Sequence, residues 1–314
     1  MARRAEDSLC TLLLTSRLVE SDAKPLGASE YWALAERVDL TGLLGRDTAS
    51  LAAELGQKLG ARVAALLDRA GALAFAVEEL EQQGIRTIAA TDDDYPPRWR
   101  TRLGSASPPL LQVAGPPALL RQPAIAIVGS RDLAAEAVDV AQGAARFAIE
   151  HDHVVVSGGA RGTDAIAMNA ALEGAGNVVG VLADALQNAA RRADLRRAVL
   201  DERLCLATPY APTAPFSPGN AMGRNKLIYA LADVTLVVAS DLDRGGTWSG
   251  AKEAITKRYG PVAVWSGPGA GPGNAPLVAL GGHPITRVAD LLQVPPPADA
   301  TDVGDEPAQL GLEI

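Results

Sequence analysis

The sequence predicts an α/β protein with a doubly wound sheet and a small helical module in front of it. From residue 123 onwards, six short apolar runs rich in β-branched residues alternate with helical patterns. Strands buried on both faces give continuous apolar runs, and helices between such strands are typical of parallel sheets. Before residue 84, apolar residues instead recur three and four positions apart, as they do in helices. We therefore predict a mostly parallel, Rossmann-like sheet that follows a helical module.

The helical module is assigned to residues 1–84. Segments such as "ARVAALLDRAGALAFAVEELEQQGI" have helical spacing, and glycines such as Gly42 and Gly60 separate short helices. Residues 85–120 change to strand-like pieces and turns in which proline pairs fix extended geometry. We interpret these residues as a connector packed on the main domain, and we predict that the whole α/β domain covers residues 85–290.

Residues 291–314 are predicted to be a disordered acidic tail. Beyond Arg287 the chain has no basic residue, and the segment is rich in Pro, Asp and Ala. The acidic residues beyond Arg287 are Asp290, Asp299, Asp302, Asp305, Glu306 and Glu313. The folded part is therefore expected to be less acidic than the net charge of −8 suggests.

Composition and motifs argue against several classes of protein. The acidic balance, with a pI near 5.0, disfavours a general nucleic-acid binder. No apolar run approaches the roughly 20 residues of a membrane helix, so we predict a cytoplasmic protein without membrane contact. Cys10 and Cys205 lie far apart, and we expect buried free thiols rather than a disulfide framework or a zinc site. We predict no metal site and no cofactor.

Candidate functional residues are expected directly after the strands, because ligands of doubly wound sheets bind at the carboxyl ends, where the strand order reverses. After "AIAIV" come Gly129, Ser130 and Arg131, which offer a tight turn, a helix cap and a guanidinium group. After "DVTLVVAS" comes a glycine turn that contains Gly246 and Thr247. Glycine turns and arginines should thus converge on one edge of the sheet.

A second glycine loop, "SGGARGTD", precedes a helix that we expect to begin near Thr163 or Asp164. The backbone N–H groups of its glycines would then face a helix N-terminus, which is a ready anion site. Asp164 either caps the helix or rejects a wrong ligand, and we favour capping. The loop residues assigned to the site are Ser157, Gly158, Gly159, Arg161 and Gly162.

A third segment, "GRNKLIYALAD", carries Arg224, Asn225 and Lys226, which are predicted to open an amphipathic helix. A positively charged first turn opposes the helix dipole, so a bound anion would explain it better than helix stability does. Neither the glycine spacing of a dinucleotide-binding turn nor the lysine of a P-loop is present. The histidines give little support to hydrolase chemistry, because His151 and His153 flank the amino end of a strand and are expected at the surface.

These motifs, in this order, resemble the DNA-processing protein A family (DprA, also called Smf). The matching pieces are "YPPRW" with "SPPLLQVAG", then "AIAIVGSR", "VVVSGGARGTDAIAMNAAL", "GRNKLIYALAD" and "GGTWSGAKEAI". The resemblance implies an extended Rossmann fold behind a SAM-like helical module. It also implies a protein that is not an enzyme, that binds single-stranded DNA and that loads a RecA-like recombinase onto it, with a homodimer formed through the Rossmann domain.

The resemblance implies that the arginine after the first parallel strand, the glycine loop and the basic segment contact DNA. Glycine turns present N–H groups to phosphates, and basic side chains add a salt-dependent attraction. The predicted DNA- or phosphate-binding residues are Gly129, Ser130, Arg131, Ser157, Gly158, Gly159, Arg161, Gly162, Arg224, Asn225, Lys226, Gly246 and Thr247.

The chain departs from the family pattern at three places. Met168 stands where the family usually has histidine, and Ala221 and Met222 replace the usual Phe-Pro pair. The lost phenylalanine is an expected base-stacking group, for which Phe216 or Trp248 is a candidate substitute. The winged-helix domain of many members is expected to be absent, which makes the chain a divergent relative.

Two alternative functions come from resemblance to the wider superfamily. One is a sensor of a nucleotide ligand. The other is a nucleotide phosphoribohydrolase, since "RGGTWSGAKEA" is similar to the glycine-threonine turn of such enzymes and Glu253 would be the catalytic or ribose-binding acid. All three hypotheses use the same edge of the sheet.

Overall fold

The computed structural model describes residues 2–297, and these residues contain one nine-stranded mixed sheet with helices on both faces. The strands are β1 (Ile85–Ala89), β2 (Leu110–Ala114), β3 (Ala124–Val128), β4 (Val154–Ser157), β5 (Val178–Val181), β6 (Leu204–Thr208), β7 (Val234–Val237), β8 (Val262–Trp265) and β9 (His283–Ile285). The helices are α1 (Ala2–Thr15), α2 (Ala28–Ala35), α3 (Thr48–Leu55), α4 (Gln57–Leu67), α5 (Ala70–Gln82), α6 (Pro97–Leu103), α7 (Ala135–Glu150), α8 (Thr163–Glu173), α9 (Leu186–Arg191), α10 (Ala193–Leu200), α11 (Pro218–Leu231), α12 (Gly245–Lys257) and α13 (Asn274–Ala279).

The strand order is β1-β2-β6-β5-β4-β3-β7-β8-β9. All neighbours from β6 to β9 are parallel. Successive strands step in one direction from β3 to β6 and in the other direction from β7 to β9, so the order reverses between β3 and β7. The loops after these two strands therefore diverge and leave a crevice at the carboxyl edge, where doubly wound proteins bind their ligands.

The predicted α/β class is confirmed, and all six apolar runs form strands, β3 to β8. The predicted connector does more than pack on the domain, because it supplies β1 and β2 to the same sheet. These strands pair antiparallel, with Ile85 opposite Ala114, and β2 pairs antiparallel with β6. Short β9 was not anticipated, since "HPI" has no continuous apolar run.

The N-terminal helices have an apolar core of their own, formed by residues between Cys10 and Leu66. Helices α3 and α4 approach closely at Gly60, where an added Cβ would lie 2.5 Å from the backbone of Ala52. Helix α5 packs on the sheet instead, because Leu80 belongs to the core cluster beneath β1 and β3. The predicted helical segment thus contributes to two cores.

Helix α6, which contains the "RWR" part of the proline-rich motif, holds the C-terminal end of α11. Trp99 Nε1 donates to the Leu227 carbonyl at 2.8 Å, and Arg98 donates to the Leu231 carbonyl at 2.9 Å. Arg102 Nη1 donates to the Ala232 carbonyl at 2.5 Å. The last carbonyls of a helix have no partners within the helix, so side-chain donors here stabilise its end. The motif therefore fixes the helix that carries Arg224 and Lys226.

The folded domain continues slightly past the predicted boundary at residue 290. A 3-10 helix spans Val288–Gln293, and Leu291 is fully buried against the sheet. The rest of the predicted tail, from residue 298, lies outside the described residues. Both cysteines are buried free thiols, as predicted. Among residues 2–297, none of the helices combines the length and the apolar character that a bilayer crossing requires.

Replacement of Arg102 by alanine should destabilise the domain. The Ala230 and Ala232 carbonyls would lose their donor in a partly buried place, so the free energy of unfolding should fall by about 1–3 kcal/mol in urea titrations. The control Arg86→Ala removes an arginine whose ion pair with Asp94 is largely exposed, and it should cost less than about 1 kcal/mol. Equal effects of the two variants would contradict the role given to α6.

Candidate nucleic-acid interface

Two adjoining cavities lie at the carboxyl edge of the sheet, where the strand order reverses. The first, here called the switch cavity, has a volume of about 330 Å³ and lies between the loop after β3, helix α11 and the start of α12. The second, called the loop cavity, has a volume of about 290 Å³ and lies beside the glycine loop after β4. Arg131 and Arg224 line both cavities, which makes them one continuous groove.

The groove collects most of the residues predicted for the site. The predicted residues that line the switch cavity are Gly129, Ser130, Arg131, Arg224, Asn225, Gly246 and Thr247. Those that line the loop cavity are Arg131, Gly158, Gly159, Arg161 and Arg224. Ser157, Gly162 and Lys226 do not line either cavity. Convergence on one edge follows from the parallel strands, whose carboxyl ends all meet there.

Arg224 is a buried structural arginine rather than an open cation. Only 6% of its surface is exposed, and its Nη1 donates to the Gly158 carbonyl at 2.6 Å and to the Val181 carbonyl. Burial lowers the pKa of Arg224, while the nearby carboxylate of Asp164 acts in the opposite direction. The guanidinium therefore joins α11 to the ends of β4 and β5. Its Nε is buried and has no partner among the described residues.

The bare backbone at three predicted glycines has a packing role, and their contact with a phosphate stays a prediction. A Cβ at Gly158 would lie 2.1 Å from Arg224 Nη1, and a Cβ at Gly162 would lie 2.4 Å from the Arg131 carbonyl oxygen. At Gly129 it would lie 2.4 Å from Thr163 Oγ1. Such distances are far below van der Waals contact. The glycines let the two loops and Arg224 pack together, and Ser157 assists by donating to the Ile127 carbonyl at 2.7 Å.

Asp164 does not cap α8, so the favoured prediction for this residue is wrong. Helix α8 begins after Gly162 without a side-chain cap. The Asp164 carboxylate instead accepts from the backbone N–H of Gly158 at 3.1 Å and of Ala160 at 3.3 Å. Burial raises its pKa, and Arg224 opposes that shift. Because Asp164 already occupies the Gly158 and Ala160 N–H groups, these are not donors for a ligand.

The basic segment lies in the middle of a helix, which corrects the prediction that it opens one. Helix α11 begins at Pro218, and Ser217 caps it by accepting from the Asn220 N–H at 3.0 Å. The argument from a positively charged first turn therefore does not apply. The signal for the true start was present in the sequence, because Ser-Pro is a typical N-cap and first-turn pair.

Arg224 and Asn225 face the switch cavity, whereas Lys226 lies on another face of α11 and lines a different cavity. Successive residues of a helix are rotated by about 100°, so neighbours in sequence point in different directions. Asn225 also donates from Nδ2 to the Gly246 carbonyl at 3.0 Å. This bond holds the first turn of α12 beside the groove.

The open cations of the groove are Arg131, Arg161 and Arg244. Arg244 was not predicted, although it directly precedes the glycine turn. It occupies the N-cap position of α12, and its side chain is 80% exposed beside Asp241, with Nε 3.6 Å from Oδ2. The first turn of α12 opens on the switch cavity without a side-chain cap, and such an N-terminus favours anions.

Phe216 is the aromatic residue that the groove exposes. It lines the loop cavity and is 55% exposed, whereas Trp248 is 7% exposed and belongs to the core. Ala221, which stands where the family has phenylalanine, lines both cavities. Of the two candidate substitutes, only Phe216 can therefore stack on a base. Met168 is buried against the sheet and lines neither cavity.

Glu253 is not placed to act on a ligand of the groove. Its carboxylate accepts from Lys257 Nζ at 3.1 Å and from the Tyr259 hydroxyl at 2.9 Å, and it lines neither cavity. Helix α12 presents Glu253 away from its N-terminal turn. The geometry thus disfavours the role of catalytic acid in a phosphoribohydrolase. Within residues 2–297, no cluster of three or more His, Cys, Asp or Glu side chains could hold a metal ion.

A doubly wound sheet with an arginine-lined groove at the reversal of strand order places the chain among Rossmann-like proteins. Comparison with known proteins identifies the family more closely. The family model described as DNA recombination-mediator protein A matches residues 86–294, and the chain belongs to this family.

Individual proteins with similar sequences support the same family assignment. The chain is 33% identical over 257 residues to a putative DNA processing protein DprA from two strains of Mycobacterium tuberculosis. This alignment covers 76% of the chain and 64% of the length of those relatives, so the chain spans just under two thirds of their length.

Two solved structures share the fold. DprA from Streptococcus pneumoniae has a TM-score of 0.62 at 21% identity, over 85% of this chain and 98% of that one. DprA from Helicobacter pylori has a TM-score of 0.55 at 22% identity, over 67% of this chain and 94% of that one. The structure of that protein gives insight into how it binds single-stranded DNA.

Replacement of Gly158 by alanine should destabilise the protein through its contact with Arg224. The added methyl group would overlap the guanidinium, and such overpacking costs about 1–3 kcal/mol, measurable as a lower midpoint of thermal unfolding. Gly219→Ala is the matched control, because a Cβ there would lie 3.9 Å from Ser217 Oγ, which is an ordinary contact. In an Arg224→Met background the cost of Gly158→Ala should shrink, because the clashing guanidinium is gone. An undiminished cost there would show that the contact is not the cause.

Proposed function

We propose that the chain binds single-stranded DNA in the groove formed by the switch and loop cavities. The observation that carries this proposal is the grouping of three open guanidinium groups and one exposed phenyl ring along that groove. A single strand presents phosphates to cations and bases to aromatic rings at the same time. Family membership supports the same ligand, as does the single-stranded DNA binding mode described for DprA from Helicobacter pylori.

Different residues of the groove would contact the phosphates and the bases of the strand. Arg131 lies between the cavities and would contact a phosphate that passes from one to the other. Arg161 and Arg244 would contact phosphates on either side, with the α12 N-terminus beside Arg244. Phe216 would stack on a base in the loop cavity. Asp132, Asp184 and Asp241 also line the groove, so binding should depend on these few well-placed arginines rather than on a broad positive surface.

The wider role follows the family description. A recombination mediator brings a recombinase to single-stranded DNA, so the proposed activity is binding and handover without catalysis, in cooperation with a RecA-like recombinase and as a homodimer. Glu253, the one acid considered for catalysis, is engaged with Lys257 and Tyr259. Light scattering of the purified chain would measure the dimer, and a strand-exchange assay would measure the recombinase loading.

A second candidate function is the binding of a free nucleotide in the switch cavity. Two buried polar atoms at this cavity, Arg224 Nε and the Tyr229 hydroxyl, have no partner among the described residues. Its volume of about 330 Å³ is close to the lower end of small-ligand sites, roughly 300–1,000 Å³. Thermal shift with mononucleotides would detect this function, since a ligand of the folded state raises the unfolding midpoint.

Oligo-dT binding should be lost in steps when the groove arginines are removed. Arg131→Ala with Arg161→Ala removes two phosphate contacts, so the slope of log K against log salt should fall by about 1.4 for a single strand. Fluorescence anisotropy at several salt concentrations measures this slope. The control Arg146→Ala removes an exposed arginine of α7, towards the amino edge of the sheet, and should leave the slope unchanged. An unaltered slope in the double variant would refute the assignment.

Removal of the Phe216 ring should weaken oligo-dT binding without changing its salt dependence. Base stacking on an aromatic ring contributes about 1–3 kcal/mol, so Phe216→Ala should reduce affinity roughly fivefold or more. Phe75→Ala is the matched control, because Phe75 is 74% exposed on α5 and lies outside the groove. If both variants bind oligo-dT as the unaltered protein does, Phe216 does not contact a base.

A further inference from the structure

A third cavity, here called the junction cavity, lies where the helical module meets the α/β domain. Its volume is about 400 Å³. The helical module contributes the end of α1 and the start of α2, the chain before and within β2 contributes Pro108 to Leu110, and the α/β domain contributes the loop after β6 and one face of α11. The cavity is separate from the groove, since the two share no lining residue.

The charge of the junction cavity differs from that of the groove. Arg17 and Lys226 line it, and no aspartate or glutamate does. Arg17 is exposed at the cavity, and Lys226 is half-buried there. This desolvation lowers the pKa of Lys226, while the Glu253 carboxylate acts in the opposite direction and Lys257 in the same direction. An ammonium group held partly out of water is costly, and a bound anion would offset that cost.

The walls of the junction cavity suit a flat ring. Pro108, Pro109 and Pro209 provide rigid apolar surfaces, and the Tyr210 ring lies beside them. The Tyr210 hydroxyl donates to the Asn220 carbonyl at 2.9 Å, which fixes the ring. Gly223 permits this arrangement, because a Cβ there would lie 2.7 Å from the same hydroxyl. An apolar and aromatic slot beside two cations matches a base joined to a phosphate.

The junction is held together by specific contacts, so the cavity is a built feature. Trp32 of α2 donates from Nε1 to the Ser107 carbonyl at 2.9 Å. The Arg100 guanidinium of α6 lies 4.0 Å from the centre of the Trp32 ring and forms an ion pair with Glu36 at 3.3 Å. These contacts fix α2 against the chain that forms one wall. Ligand entry would therefore meet a preformed site.

The position of the cavity connects it with the groove. The loop between β6 and α11 separates the two: Ala211 and Ala214 line the junction cavity, whereas Phe216 lines the loop cavity. Helix α11 likewise presents Lys226 to the junction cavity and Arg224 to the groove. A strand that leaves the loop cavity over the first turn of α11 would reach the junction cavity next.

We infer that the junction cavity is a second nucleotide site, in which Lys226 and Arg17 contact a phosphate and the Tyr210–proline slot receives a base. The inference rests on the proposed binding of single-stranded DNA in the groove. It extends the DNA path from the α/β domain onto the helical module. The same chemistry would also accept a free mononucleotide, and long strands tested beside dTMP separate the two sources.

The test compares Lys226→Gln with the control Lys252→Gln, which removes an exposed lysine of α12. Oligo-dT of about 6 nucleotides should occupy the groove alone, whereas about 20 nucleotides should reach both sites. Lys226→Gln should lower the salt slope for the long strand by about 0.7 and leave the short strand unaffected. Arg17→Gln should act in the same way. Unchanged unfolding midpoints will show that the variants remain folded.

Thermal shift with dTMP provides the second arm. Stabilisation by dTMP that Lys226→Gln abolishes, without any effect on the long strand, would support the site with a free nucleotide as its ligand. Unchanged long-strand binding together with unchanged or absent dTMP stabilisation would overturn the inference. Failure of the proposed DNA binding in the groove can be told apart from failure of the junction-cavity inference. It would appear as an unaltered salt slope for the short strand when Arg131 and Arg161 are replaced. The dTMP arm would then decide the junction cavity alone.

Discussion

The buried guanidinium of Arg224 is the interaction on which the carboxyl edge of the sheet depends. It joins α11 to the carbonyl of Gly158, which follows β4, and to the carbonyl of Val181, which ends the adjacent strand β5. A charge this deeply buried is tolerated only if its donors are bonded and a counter-charge is near. Asp164 supplies that counter-charge and at the same time binds the N–H groups of the glycine loop. Arg224 and Asp164 thus hold a helix, two strands and a loop together.

The glycines of this edge are a consequence of that arrangement. Gly158 leaves the space that Arg224 occupies, and Gly162 lets its loop lie against the backbone of Arg131. Close packing of the two loops brings Arg131 and Arg161 to one groove, although each side chain remains exposed. The glycines therefore act on the packing of this edge, and the Gly158 N–H is already bonded to Asp164.

The charge distribution reconciles an acidic chain with the anionic ligand that we propose. The net charge is −8, yet the junction cavity contains two cations and no acid, and the groove exposes three arginines. Association with DNA depends on the local field at the site more than on the total charge. Interspersed aspartates in the groove would limit indiscriminate binding to polyanions. Specific placement, rather than a basic surface, is what this edge offers to a strand.

Local sequence pattern is enough to predict the α/β class, the six parallel strands and the edge at which the candidate residues lie. These features depend on local periodicity and on the geometry of parallel sheets, which a single chain carries in its pattern of apolar residues. The order of motifs was also sufficient to indicate the family. Departures from the family motif, such as Ala221 in place of phenylalanine, are also visible in the sequence, because their recognition requires only that the motif be aligned.

The contacts of individual residues, in contrast, follow from the folded arrangement of the chain. Arg224 and Lys226 are two positions apart and equally basic, but about 200° of helical rotation sends one into a buried hydrogen-bond network and the other to the module junction. Asp164 was predicted to cap α8, but its carboxylate accepts from the N–H groups of Gly158 and Ala160. Long-range contacts of this kind join residues tens of positions apart, and no local pattern in the sequence encodes which of them meet. Packing therefore gives Gly158, Asp164 and Arg224 structural partners, and it leaves the side chains of Arg131, Arg161 and Arg244 exposed along the groove.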